Sequence, residues 1–176
     1  LQDGLIGVYT KFDMKREVAM AAYYTDETSE GTDSGGQGRT TGHIFNLNAT
    51  SAAASTFWYN GYSRLNAVNR IIEAAELIED STEKNNILGQ AYALRAFAHF
   101  QMLCYYSTDY TNDSALAVIL QEAVPSIADK LLRNTNGEVY ASISSDLATA
   151  EGLLTNQSDA TFVSKDFTLA LRARMA

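Results

Sequence analysis

The chain has 176 residues, of which 46% are hydrophobic, and its 13 basic and 21 acidic residues give a formal net charge of −8. A chain of this length and hydrophobic content buries roughly two-thirds of its unfolded surface as one domain, which excludes a mainly disordered protein. The acidic balance, without any local cluster of basic residues, excludes nucleic acid as an expected partner, because a phosphate backbone would be repelled.

The first predicted element is a short amphipathic helix over residues 1–12, followed by a long loop between Thr25 and Gly42. Asp, Glu, Ser, Thr and Gly make up most of this loop, and they favour irregular backbone. Loops of this length are uncommon inside compact domains and are often functional, so the loop is a candidate binding segment. A surface excursion without a ligand remains the alternative.

The next two elements form a predicted helix pair over residues 57–106. Thr56 is expected to cap a helix that extends to about Ile78, because apolar residues recur along it at steps of three and four. A second helix runs from about Glu83 to Tyr106 and is apolar nearly all round, which is typical of a helix at the centre of a fold. The residues expected to form the structural core of the chain are Trp58, Tyr62, Leu94, Phe97, Phe100, Tyr140 and Leu147.

A second helix pair is predicted over residues 138–176. Its first helix begins at Glu138, and Ser164 is expected to cap its second helix, which reaches the end of the chain without a closing residue. The segment 107–136 between the pairs is assigned mainly to loop, with room for one short helix. We expect residues 1–176 to be one N-terminal helical domain of a longer chain, with the second pair truncated.

The two pairs share a repeated motif. The segment Leu94 to Ala96 reads Leu-Arg-Ala and returns as Leu171 to Ala173, and an Ala-Glu pair precedes each copy. A segment that repeats within one chain usually builds by stacking on its own copy. The sequence therefore predicts an all-α fold of stacked helix pairs, joined by a long irregular loop to the first helix.

Five motifs occur in a fixed order along the chain: Trp58 with Tyr62, Asn69 to Glu73, Ala91 to Phe100, Val124-Pro125, and Val139 to Ala150. Together they resemble the N-terminal part of the SusD/RagB family, surface lipoproteins of Bacteroidota that capture glycans. The resemblance implies tetratricopeptide-like helix pairs, a role in polysaccharide utilisation, and a SusC-like TonB-dependent outer-membrane transporter as partner. It also implies a surface-exposed location on the cell outer membrane, with a lipid anchor outside this fragment as the only membrane attachment.

Catalysis is not expected, because the sequence lacks the residue types and spacings that it needs. Only two histidines occur, His43 and His99, and no motif places a nucleophile beside a base or cradles a phosphate. His99 lies inside an apolar helix pattern and is interpreted as a packed side chain. Cys104, the only cysteine, is interpreted as a small buried hydrophobe. No enzyme activity and no cofactor are therefore predicted.

A metal site is also not expected. The long loop carries four acidic residues whose oxygens suit calcium, but their spacing does not match the alternating positions of a calcium loop. The four are better explained as a solvated acidic segment. They are Asp26, Glu27, Glu30 and Asp33.

Glycan binding needs an aromatic plane against a sugar ring and polar groups that hydrogen-bond its hydroxyls. Tyr59 lies off the apolar stripe of its helix and is expected to face outward, whereas Trp58 is expected to pack between helices. For the tyrosines at 105, 106 and 110, core filling and partner contact both remain open. The predicted glycan-binding candidates are Asp33, Arg39, His43, Asn46, Asn48 and Tyr59.

Three functions remain after this reading of the sequence. The leading one is the non-catalytic binding of a polysaccharide or oligosaccharide within an outer-membrane TonB-dependent uptake complex. The alternative is a tetratricopeptide-like protein-interaction module that binds the transporter or peptide cargo. The third is a periplasmic or cytoplasmic helical-repeat adaptor that has no part in uptake.

Overall fold

Six α-helices form the regular structure in the part of the chain that the computed structural model describes, namely residues 1–23, 25, 48, 51–155 and 159–176. The same residues contain one isolated antiparallel β-bridge, between Leu116 and Thr135, and no longer strand. The predicted all-α fold class is confirmed. The helices are α1 (Gln2–Lys11), α2 (Lys15–Tyr23), α3 (Ala52–Ala75), α4 (Thr82–Tyr106), α5 (Asn136–Leu153) and α6 (Lys165–Met175).

The long helix α4 occupies the centre of the packing, as its all-round apolar pattern predicts. It packs extensively against α3 on one side and α5 on the other, while α1 lies on α3 and α6 lies on α5. Small side chains allow this close approach: Ala91, Ala93 and Ala96 are fully buried. Helix α4 therefore links the first helix pair to the second.

The buried side chains form two clusters. One joins α1, α3 and the first half of α4, and Leu94 belongs to it; the other joins the second half of α4 to α5 and α6 and includes Phe100 and Leu147. The remaining residues that were expected in the core are partly buried and pack against the second cluster. They are Trp58, Tyr62, Phe97 and Tyr140.

The first helix pair differs from its predicted boundaries at both ends of α3. This helix begins after Ser51, so Thr56 lies inside it and the prediction that Thr56 caps it is wrong. It ends at Ala75, and Ile78 belongs to the turn that follows. The early start has a simple cause: alanine is the best helix former, and Ala52 to Ala54 extend the helix without adding any apolar periodicity.

Helix α2 is absent from the sequence-based prediction. It has nine residues and begins with three charged ones, Lys15, Arg16 and Glu17, so the sequence did not separate it from the charged end of the first element. Its buried contact is an ion pair in which Glu17 Oε1 lies 2.6 Å from Arg64 Nη2. A hydrophobic pattern does not detect a helix that docks through a buried charge.

The connection between the two helix pairs, residues 107–135, contains no helix, so its assignment mainly to loop is confirmed and the short helix that this assignment allowed is absent. Instead, its two ends pair with each other: the N–H of Ala117 donates to the carbonyl of Asn134, and the N–H of Asn134 donates to the carbonyl of Val118. The amide of Asn69 on α3 donates to the carbonyls of Gln121 and Ala123. The segment is therefore an irregular loop fastened to the helices by side chains.

The placement of Cys104 corrects a further expectation. Its thiol is exposed, whereas the neighbouring Met102 and Leu103 are buried. In the last turn of α4, one face of the helix already fills the core and the next residues along the chain turn outward. Apolar neighbours in sequence therefore do not make Cys104 a core residue.

Candidate functional site

The N-terminal half of α3 presents an aromatic side chain to solvent. Tyr59 is 72% exposed, and it lies outside the inward-facing stripe that contains Leu65 and Val68, both fully buried. Its outward orientation agrees with its position off the apolar stripe. Its exposed phenol ring is available to contact a ligand.

Trp58, directly beside Tyr59, has a packing role. Its ring centroid lies 4.9 Å from that of Tyr62 and 5.0 Å from that of Tyr106, with both partners edge-on. The Tyr62 hydroxyl also accepts a hydrogen bond of 2.8 Å from the Ile119 N–H in the connection between the pairs. These contacts fix the orientation of the α3 face that carries Tyr59.

The three tyrosines that the sequence left open divide between packing and exposure. Tyr106 belongs to the packed group, and its hydroxyl donates to the carbonyl of Ala54. Tyr105 stacks on Phe57 with 5.0 Å between ring centroids and remains 49% exposed, while Tyr110 is 66% exposed. Tyr105 and Tyr110 are therefore available for contacts, and Tyr106 is not.

Arg64 is a buried cation that fastens the junction of α1 and α2 to α3. It is 4% exposed, and its Nε donates to the Lys11 carbonyl at 2.8 Å. Its Nη2 donates to the Asp13 carbonyl at 3.3 Å and lies 2.6 Å from Glu17 Oε1. The sequence reading overlooked this residue, although an arginine next to the buried Leu65 of an apolar stripe was a usable signal.

A polar cleft of about 280 Å³ opens on the solvent side of this junction. Lys11 Nζ lies 3.3 Å from Ser63 Oγ across it. The backbone N–H of Lys15 donates to the Asp13 carboxylate at 3.1 Å, and this bond, together with the Lys15 ammonium, lowers the pKa of Asp13. Asp13 is therefore an ionised acceptor at neutral pH. The cleft is lined by Lys11, Asp13, Asn60, Ser63 and Arg64.

Two of the six glycan-binding candidates from the sequence, Asn48 and Tyr59, lie in the described residues. Asn48 is exposed just before α3, where its N–H donates to Ser51 Oγ at 3.1 Å. Asn48 thus precedes α3 in the chain, and Tyr59 lies in the N-terminal half of that helix. The other candidates, Asp33, Arg39, His43 and Asn46, lie outside the described residues.

His99 lies on the buried part of α4, inside the protein core. It is fully inaccessible to solvent, and its Nε2 accepts a hydrogen bond of 3.2 Å from the Gln121 N–H. Burial lowers the pKa of His99 to about 3, helped by the positive charge of Arg95. The imidazole is therefore neutral under physiological conditions and acts as an acceptor that holds the 107–135 connection.

Within the described ranges, no three His, Cys, Asp or Glu side chains come together as a metal site would require. The helices in those ranges also include none with the length and apolar character needed to cross a membrane.

The whole chain, residues 1–176, matches the model of the SusD-like family described as "Starch-binding associating with outer membrane". No curated protein matches the chain.

Solved structures share the fold at low sequence identity. A SusD superfamily protein from Bacteroides thetaiotaomicron superimposes with a TM-score of 0.82 at 19% identity, over 99% of this chain and 41% of that one. A SusD-like carbohydrate-binding protein from Bacteroides vulgatus gives 0.81 at 20%, over 99% and 40%. A laminarin-binding SusD-like protein gives 0.77 at 19%, over 99% and 38%. The chain thus spans about two-fifths of the length of these proteins.

Proposed function

Because the chain belongs to the SusD-like family, we propose that it is the N-terminal helical part of a non-catalytic glycan-binding component of an outer-membrane uptake complex. The observation that carries this proposal is the family match over all 176 residues. The resemblance that the sequence motifs indicated is confirmed by that match. The family description names starch, and one structural neighbour is named for laminarin, so a polysaccharide or oligosaccharide is the ligand class that we propose.

The surface at the start of α3 has the chemistry that glycan capture needs. Tyr59 offers an exposed ring for the apolar face of a sugar, and Asn48 is an exposed amide close to it in sequence. Asp33, Arg39, His43 and Asn46 remain proposed contributors from the preceding segment. The buried, neutral His99 is unsuited to contact a ligand or to transfer a proton at this surface.

The proposal includes a protein partner and an anchor. We propose a SusC-like TonB-dependent transporter as the partner and a lipid anchor in the parent protein as the membrane attachment. The 107–135 connection supports a protein contact, because Ile127 and Leu132 are almost entirely exposed and Leu131 is nearly half exposed. The same surface is the observation that favours the alternative function, a module that binds the transporter or peptide cargo.

The glycan proposal is tested with the full-length parent protein in native gels that contain one polysaccharide each. Soluble starch, laminarin, xyloglucan and polygalacturonate form the panel, and bovine serum albumin is the non-binding standard. We expect at least one polysaccharide to slow the parent protein relative to albumin. If none does, the glycan-binding function is lost, and copurification with a transporter or a peptide then decides for the alternative.

A further inference from the structure

We propose that the polar cleft beside Tyr59 binds one sugar unit of the glycan, with the Tyr59 ring as its stacking platform. The cleft is the one lined by residues 11, 13, 60, 63 and 64. This inference rests on the proposed function and deepens it, because it assigns the sugar contacts to residues of α3, the end of α1 and the α1–α2 junction.

Helix geometry brings the aromatic ring and the cleft together. Residues four apart on an α-helix lie on the same face, so Tyr59 is the neighbour of Ser63 along the α3 surface. Asn60, Ser63 and Arg64 follow the same three- and four-residue spacing and line the cleft. Tyr59 does not line the cleft itself, but its exposed ring lies one helical turn before Ser63. A ring at that position adds an apolar plane to the polar cleft, and a sugar needs both because it has an apolar face and a rim of hydroxyls.

The cleft offers both donors and acceptors. The Asn60 amide supplies two N–H donors and one acceptor oxygen, and the Lys11 ammonium keeps two further donors beside its contact with Ser63 Oγ. The ionised Asp13 carboxylate is an acceptor. All five lining side chains are polar, so the cleft suits a ligand that is rich in hydroxyl groups rather than an apolar one.

The size of the cleft sets the extent of the contact. At about 280 Å³ it lies below the roughly 300–1,000 Å³ typical of pockets for drug-sized ligands. One sugar unit fits a cleft of this size, and the neighbouring units of a glycan chain would extend beyond it along the protein surface.

The cleft is held in place before any ligand arrives. Arg64 on α3 donates to the backbone carbonyls of Lys11 and Asp13, and Glu17 balances its charge. The backbone that carries the Lys11 and Asp13 side chains is therefore fixed to α3. A site on rigid elements loses little conformational entropy on binding. The Asp13 carboxylate also has a partner at the surface, because Lys15 Nζ lies 3.3 Å from its Oδ2 and balances its charge.

The test uses the full-length parent protein and the four polysaccharides named above, with affinity measured in gels of graded polysaccharide concentration. Two variants remove the proposed contacts: Tyr59→Ala removes the ring, and Asn60→Ala with Ser63→Ala removes the polar rim. Tyr110→Ala is the matched control, because Tyr110 is 66% exposed but lies on the 107–135 connection. Tyr59→Phe, which keeps the ring, is the rescue variant.

We expect each of the two cleft variants to bind at least tenfold more weakly, while Tyr110→Ala and Tyr59→Phe stay within twofold of the wild type. Thermal unfolding of every variant is measured, and only variants with the wild-type midpoint are compared. If the wild type binds and both cleft variants bind equally well, the cleft is not the subsite, although the glycan function stands. If Tyr59→Ala weakens binding but Asn60→Ala with Ser63→Ala does not, the cleft is also not the sugar subsite. Failure of the wild type on all four polysaccharides removes the proposed function itself.

Discussion

Arg95 on α4 and Asp146 on α5 form a buried two-pronged ion pair that joins the two helix pairs. Arg95 Nη2 lies 2.6 Å from Asp146 Oδ1, and Nε lies 2.8 Å from Oδ2. The remaining nitrogen, Nη1, donates to Asn69 Oδ1 on α3 and to the carbonyl of Glu122. The Arg95 guanidinium thus contacts α5, α3 and the 107–135 connection. Both charged side chains of the ion pair are less than a tenth exposed.

Removing one partner of this pair should destabilise the protein strongly. Asp146→Asn keeps the shape of the side chain but leaves the Arg95 cation buried without a counter-ion, which costs about 3–5 kcal/mol of unfolding free energy. Urea unfolding at pH 7 measures the loss. The control is Asp80→Asn, because Asp80 pairs with Lys84 at the surface and is 90% exposed; its urea midpoint should not move. Equal midpoints for the two variants would contradict the structural role of the Arg95 pair.

The buried His99 should make stability depend on pH. Its folded pKa of about 3 lies below the unfolded value of 6.5, so the unfolded chain binds a proton first as the pH falls. The stabilising contribution is therefore complete above pH 6.5 and is lost on going down towards pH 3. Between pH 7.5 and 5.5 the loss is about 1.4 kcal/mol.

Urea unfolding of the wild type and of His99→Gln at those two pH values checks this prediction. The variant should be less stable at pH 7.5, but its stability should change less between the two values, because glutamine does not titrate. Carboxylates titrate mainly below this range, so they contribute little to the difference. If His99→Gln lost as much unfolding free energy as the wild type between pH 7.5 and 5.5, a group other than His99 would be responsible for the pH dependence.

Gly89 should resist substitution although it lies inside a helix. Helix propensity alone predicts that alanine would stabilise α4 by up to about 1 kcal/mol. A methyl group at Gly89 would, however, lie 2.9 Å from the backbone nitrogen of Leu154 and 3.2 Å from the carbonyl of Ala150. Because backbone cannot yield as a side-chain end does, we expect Gly89→Ala to destabilise by about 1–3 kcal/mol.

Gly7→Ala is the matched control for this substitution. Gly7 lies in the middle of α1 with nothing within 4 Å of an added methyl group, so the variant should gain up to about 1 kcal/mol. Thermal unfolding should show a lower midpoint than the wild type for Gly89→Ala and a higher one for Gly7→Ala. If Gly89→Ala also raised the midpoint, the close approach of α4 and the end of α5 would be refuted.

Replacing a buried leucine of α5 should cost more stability than replacing an exposed leucine of α6. Leu147 on α5 is fully buried in the second core cluster, and Leu147→Ala should cost about 2–5 kcal/mol through lost burial and the cavity left behind. Leu169 is 59% exposed, so Leu169→Ala should change stability by less than about 0.5 kcal/mol. Chemical unfolding distinguishes the two variants, and a similar cost at both positions would contradict the placement of the second core cluster.

Local patterns in the sequence located most of the helices. The steps of three and four in α1, α3 and α5 and the all-round apolar character of α4 predicted those helices because each signal lies within a few turns of one element. The centre of the fold was predicted for the same reason. Helix ends were less accurate: α3 begins at Ala52 and not at Thr56, because alanines prolong a helix without marking a face.

Features that depend on a distant partner were missed. Helix α2 docks through Glu17, whose partner Arg64 lies in another helix, and neither residue type indicates burial by itself. The 107–135 connection was assigned room for a helix, but its ends pair with each other and its middle is bound by Asn69. Cys104 was expected inside, although only the packing of α4 determines which side of its last turn is covered.

The sequence by itself determined the helical fold class, the order of the helix pairs and the family to which the chain belongs, because these are written in periodicity and in motifs of a few residues. The tertiary structure alone decided that Lys11 and Asp13 meet Asn60 and Ser63 in one cleft. Arg64 joins these segments across 53 positions of the chain. Contacts over such a separation follow from how buried faces and charges satisfy one another in three dimensions, and short-range spacing carries no record of them.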